Sequence, residues 1–138
     1  MPEPDALQRA SARHITRSRL VRISVATLVV ACLAYVVFWA PLPFIPSWWR
    51  SNESNWGDRF SRRHRMADWL IYGGALVGKT RADVVALLGE PPPTEYFKDW
   101  HMVYNLGAER GFISIDSEWL VLRLDAGGIV TEATLRRD

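Results

Sequence analysis

The chain has 138 residues, with 17 Lys/Arg against 15 Asp/Glu and a single cysteine, Cys32. The charge is divided. Residues 1–65 carry ten Arg and four Asp/Glu, net +6, and residues 66–138 carry seven Lys/Arg and eleven Asp/Glu, net −4. The acidic second part argues against a phosphate-backbone binder, which needs clustered Lys/Arg, so no nucleic-acid partner is expected, and one cysteine excludes an intrachain disulfide.

Met1 to Arg22 is polar, with Arg9, Arg13, Arg17, Arg19 and Arg22, and reads as a basic cytoplasmic tail (residues 1–22). Ile23 to Ala40 contains no charge and only Ser24 and Thr27 as plainly polar residues. As a helix at ~1.5 Å per residue it would reach ~27 Å, near the ~30 Å hydrocarbon core of a bilayer, so a transmembrane helix is expected at residues 23–40. Five arginines precede the run and two, Arg50 and Arg59, follow within twenty residues. The positive-inside rule then expects a single-pass protein of the bacterial inner membrane, N-terminus cytoplasmic and C-terminal domain periplasmic. Widening the window to include Arg62, Arg63 and Arg65 evens the count. The alternative is a lipoprotein, because Val29-Val30-Ala31-Cys32 looks like a lipobox that would be cleaved and lipidated at Cys32.

Pro41, Pro43 and Pro46 stop a helix, since proline lacks an N–H and disfavours helix in the residue before it. Residues 41–57 read as a Pro/Trp-rich juxtamembrane connector. Trp48 and Trp49, with Arg59, Arg62, Arg63 and Arg65 just beyond, are the candidate contacts to lipid headgroups, so the bilayer is an expected partner. Residues 58–138 form the candidate folded domain. A domain of this size buries only ~60% of its unfolded surface, so it is marginal alone.

Asp58 to Val77 has apolar residues at helical spacing, with Asn55 as a plausible N-cap and Gly73-Gly74 weakening the end. Thr80 and Asp83 match a capping box for a second helix, which Gly89 and Pro91-Pro92-Pro93 stop. Gly73 to Thr80, GGALVGKT, formally completes a phosphate-loop pattern, but no strand precedes it. Three strands follow, at Trp100–Leu106, Trp119–Asp125 and Ile129–Arg136, the last two joined by a glycine-bearing turn. The order helix, helix, strand, strand, strand suits an antiparallel meander with helices on one face.

Gly78 to Pro91, with its Gly-x-Thr, acid, Val and Leu-Leu-Gly-x-Pro, resembles the helix of the SmpA/OmlA proteins, the BamE-like small outer-membrane assembly factors. Trp100 with Tyr104, Leu106 and Gly107 looks like that family's first strand, and Leu120 to Val130 like its strand–turn–strand close. The resemblance covers roughly Arg63 to Arg137. It implies an α+β fold, two helices packed on a three-stranded antiparallel sheet, here behind an N-terminal transmembrane helix. It also implies a non-catalytic interaction or scaffolding module linked to outer-membrane protein assembly or envelope integrity, with another envelope protein as partner. The departure is the anchor, since the family's assembly factors are lipoproteins.

His14, His64 and His101 are scattered, without metal-ligand spacing, so no metal and no cofactor is expected. Asp99, His101, Ser114, Asp116 and Ser117 are the one set to weigh as a hydrolase, and none lies in a nucleophile-elbow pattern, so no enzyme is expected. A further alternative is a lipid-binding accessory acting through the arginines of residues 59–65. Trp100, Tyr104 and Trp119 are the candidate interaction surface: they form an exposed patch if they share an uncovered sheet face, and core if they face the helices.

Overall fold

The computed structural model describes residues 21–37, 39–51, 62–110 and 115–138. The chain divides into two compact units, Met1–Ala40 and Pro41–Asp138. In the first, residues 21–37 form helix α1. Among the described residues, no helix is long and apolar enough to cross a membrane. This corrects the expected transmembrane helix at 23–40, and the single-pass inner-membrane placement goes with it.

Among its described residues the second unit holds three short helices, α2 (Pro46–Ser51), α3 (Arg62–Tyr72) and α4 (Arg81–Leu88). Its strands are β1 (Met102–Ala108), β2 (Ser117–Leu124) and β3 (Val130–Arg137). They make one antiparallel sheet in the order β1-β2-β3. The expected α+β meander is thus present. Asn55, Asp58 and Arg59 lie outside the described residues.

Local chemistry explains the boundaries. Helix α3 stops at Tyr72 rather than Val77 because Gly74 takes φ +63°. Ala75 N–H then reaches back to Leu70 O (2.9 Å) and Gly74 N–H to Ile71 O (3.0 Å), the paired bonds of a glycine-terminated helix. Helix α4 opens on the expected capping box: Asp83 N–H donates to the Thr80 hydroxyl and Thr80 N–H to the Asp83 carboxylate, both at 3.1 Å. The Thr80 hydroxyl bond and then its backbone bond hold the Asp83 carboxyl below its ordinary pKa. Gly78 N–H donates to Val130 O (2.8 Å), so the glycine-lysine run fastens α4 to the sheet and is not shaped to cradle phosphate. The β2–β3 turn is held by Asp125, whose carboxylate receives Gly127 N–H (2.8 Å) and Ile129 N–H (3.0 Å).

The main core lies between the helices and one sheet face. Met66, Ala67 and Leu70 of α3 and Val84 and Leu88 of α4 meet Tyr104 and Leu106 of β1 and Leu120 and Leu122 of β2. At its centre is Trp49, 0% exposed. Its indole N–H donates to Leu88 O (3.0 Å), and its ring lies 5.8 Å from Phe44 and 6.2 Å from Tyr104. Residues 41–51 are therefore part of the domain, not a connector ahead of it. Prolines 41, 43 and 46 end one helical run and steer the next short helix inward.

Trp49→Ala should lower unfolding stability by about 3–5 kcal/mol, through lost burial and a residual cavity. Trp49→Phe should lose less, leaving the Leu88 carbonyl without its donor at about 1–3 kcal/mol. Urea midpoints of the two variants check the order.

Candidate functional site

The candidate residues that are described each have a definite place. Tyr104 faces the helices, 2% exposed, and its hydroxyl donates to Gly89 O (2.8 Å). Burial, reinforced by the nearby Glu90 charge, raises its pKa far above the ordinary phenol value, so it stays a donor. Trp100 and Trp119 lie on the opposite sheet face in a small cluster with Val103, Val121 and Phe97. They are 9% and 5% exposed. The three aromatics thus do not lie on one face, Tyr104 facing the helices and the two tryptophans the other side, and they form no exposed patch. Strand alternation would have put Trp100 beside Tyr104. The strand begins only at Met102, and Trp100 N–H bonds to Phe97 O (2.9 Å) in a turn that carries the indole to the other side.

The headgroup candidates divide in the same way. Arg63 is buried, donating from Nε to Trp49 O (2.8 Å) and from Nη1 to Asn105 O (3.2 Å), with its guanidinium 4.8 Å from the Trp49 ring centre. Trp49 and Arg63 are structural and turn away from any lipid surface. Trp48 is exposed, with the Arg62 guanidinium 4.6 Å from its ring centre, and Arg65 is half-buried.

The hydrolase set does not assemble. His101 adjoins Leu122 and Leu124 at one end of the sheet, whereas Ser117 pairs with Ala108 at the other. Seven residues at ~3.3 Å each separate them by roughly 20 Å. Ser114 lies outside the described residues. The His101 Nδ1 accepts Leu124 N–H (3.1 Å), which ties the ring to the sheet end, and His101 also lines the open groove beside Tyr96. Among the described residues, no group of three His, Cys, Asp or Glu side chains is placed to hold a metal ion.

Two features were not foreseen. The first is a buried ionic cluster joining α3 to the sheet. Arg110 donates to Glu118 from Nη2 (2.7 Å) and Nε (3.0 Å), and to Asp68 from Nη2 (3.2 Å). His64 Nε2 lies 3.6 Å from the same Glu118. Burial alone would raise the Glu118 pKa, but hydrogen bonds and charge from Arg110, with a smaller contribution from His64, hold it below the ordinary value. These partners are far apart in sequence, which hides the cluster from any spacing rule.

The second is an open groove of about 440 Å³ between the end of α4 and the segment leading into β1. Pro91 and Pro92, the aromatics Tyr96, Phe97 and Trp100, and His101 line it. Arg81, ion-paired with Glu90, and Lys98 stand at its rim. Phe97 holds φ +52°, a conformation that costs a non-glycine residue of order 1–3 kcal/mol and persists only where surroundings enforce it. Here Trp119 does so: Phe97 meets its ring edge-on at 6.0 Å and Tyr96 lies 5.2 Å from it. The result presents Tyr96, 46% exposed, to the groove. The Trp119 indole N–H beneath has no hydrogen-bond partner. Compared with protein-family models, curated proteins and solved structures, the chain matches none.

Arg110→Met should cost about 3–5 kcal/mol near pH 7, because two buried carboxylates lose their cation. The Glu118 contribution is full above its unfolded pKa of ~4.3 and is lost as pH falls through its depressed folded value. The gap between wild type and variant should therefore narrow below about pH 4. Urea unfolding across pH reads this.

Proposed function

We propose that the domain is a non-catalytic protein-binding module that takes an extended, proline-containing segment of an envelope protein in the groove beside Tyr96. The groove is the observation that carries the reading. Prolines and aromatic side chains line it together, and grooves lined by aromatic side chains suit a polyproline-type segment, which has no internal hydrogen bonds and little entropy left to lose. The backbone strain at Phe97 is sited where it exposes Tyr96 rather than burying it.

Two further points support an interaction role over catalysis. The hydrolase candidates lie at opposite ends of the sheet, His101 bonded through Nδ1 to Leu124 N–H and Ser117 paired with Ala108, and the acids Asp68 and Glu118 are held by Arg110. The element order is also the one that the SmpA/OmlA resemblance implies, helices followed by a three-stranded meander. That resemblance is what suggests the cell envelope as the partner's source.

A photoreactive phenylalanine analogue in place of Tyr96 should cross-link in cells to one defined segment of one envelope protein. The same analogue at Tyr72, 80% exposed on α3, should not. A synthetic peptide of the captured segment should bind the wild-type chain and lose at least about tenfold in affinity for Tyr96→Ala, since a buried aromatic contact is worth roughly 1.5–3 kcal/mol. Equal capture from both positions, or unchanged peptide affinity in Tyr96→Ala, overturns the reading.

A further inference from the structure

Strand β3 is an edge of the sheet. Its first residue is covered: Gly78 N–H donates to Val130 O and Val130 N–H to Lys79 O, both at 2.8 Å. Beyond Val130, among the described residues, no backbone group bonds to the outer side of the strand through Arg137. The free edge therefore spans residues 131–137. A row of unpaired N–H and C=O groups of this length is a template for another strand unless something repels it.

The edge carries no proline and no lysine. Its charges are Glu132, Arg136 and Arg137. The register from 132 to 137 is unbroken, so Glu132, Thr134 and Arg136 lie on the face of Trp119 and Val121, and Ala133 and Leu135 on the helix face. Guard charges of one sign would repel a second copy. These differ in sign, and Glu132 and Arg136 sit two residues either side of Thr134.

We infer that two copies of this chain join through antiparallel β3–β3 pairing centred on Thr134, making a continuous six-stranded sheet. Thr134 then opposes Thr134 of the other copy, Ala133 opposes Leu135, and Glu132 opposes Arg136 twice, once on each side of the two-fold axis. Opposite charges and threonine pairs directly across a strand pair are favourable, and like charges there are not. A two-fold axis normal to the sheet keeps opposed residues on one face, as an isologous interface requires. Shifting the centre to Ala133 would oppose Glu132 to Thr134. Shifting it to Leu135 would oppose Glu132 to Asp138. Only the Thr134 register pairs Glu with Arg.

The regular part of the edge, 132–137 past the irregularity at Thr131, accommodates this register: Glu132 to Arg136 pair about Thr134 and end short of Val130, which Gly78 and Lys79 already cover. On the helix face, Ala133 and Leu135 are partly buried against the core, and the pairing would cover what remains of them. This surface is separate from the groove, and its test does not depend on what the groove binds.

The full chain should show concentration-dependent dimerisation by sedimentation. Glu132→Arg and Arg136→Glu should each weaken it at least about tenfold, because each reversal acts twice across the axis. The double variant E132R/R136E restores the pairs in swapped form and should recover the wild-type dimer. Loss of folding cannot mimic that recovery, and circular dichroism of the single variants checks them directly. In a Cys32→Ser background, Thr134→Cys should form an intermolecular disulfide under mild oxidation far faster than Asp125→Cys in the exposed turn. A chain that remains monomeric at every concentration overturns the inference and leaves the edge to a strand of another protein. A dimer indifferent to both reversals, or failure of the swap to rescue, overturns it equally.

Discussion

The domain depends on one indole. Trp49 lies where four segments meet. It donates to the last carbonyl of α4, receives the edge of Tyr104 from β1 and the ring of Phe44 from the segment before α2, and has the Arg63 guanidinium from α3 over its face. Arg63 in turn bonds to the Trp49 carbonyl and to Asn105 on β1. A buried arginine is tolerable here because its donors meet carbonyls and its plane meets an aromatic ring, so desolvation is offset by directed contacts. In a domain this small, a single aromatic that fills the junction of α2, α3, α4 and β1 decides whether the layers close at all.

This arrangement fixes the roles of the polar residues around it. With Trp49 holding the helices at their α4 end, the other end of α3 needs its own tie to the sheet, and the Asp68–Arg110–Glu118 cluster supplies one. His101 closes the opposite sheet end, beside the β2–β3 turn. Both ends of the meander are therefore tied by side chains. What is left open is lateral: the groove beside Tyr96 and the outer side of β3.

Local rules read much of this from the sequence. The Thr80–Asp83 cap, the Gly89 stop and the Asp125–Gly128 turn are each fixed by residues within a few positions of one another, and all three occur as expected. Features set by distant partners were not legible. Arg110 reaches Asp68 across 42 positions, and nothing in either neighbourhood marks the pair. Trp49 was misread because tryptophan beside proline after an apolar run fits a membrane interface as well as a core, and composition cannot separate them. The side of Trp100 could not be read from alternation, because β1 starts at Met102 and Trp100 lies in a turn where period two does not apply. The membrane expectation rested on the apolar run alone, and among the described residues no helix is long and apolar enough to cross a bilayer.

The strain at Phe97 and the open edge of β3 differ in kind. A positive φ at an aromatic residue opposes folding at that position and is kept only because Trp119 and Tyr96 hold the segment down. It is a local penalty set beside a groove, as expected where a side chain must be shown to a partner rather than buried. The β3 edge carries no such penalty. Its backbone is regular, its register with β2 is unbroken from Glu132 to Arg137, and its cost lies only in donors and acceptors left to water. A strained site gains by binding something that matches its shape. A regular edge gains by finding another regular edge, and the nearest supply of one with complementary charges is the same strand on a second chain.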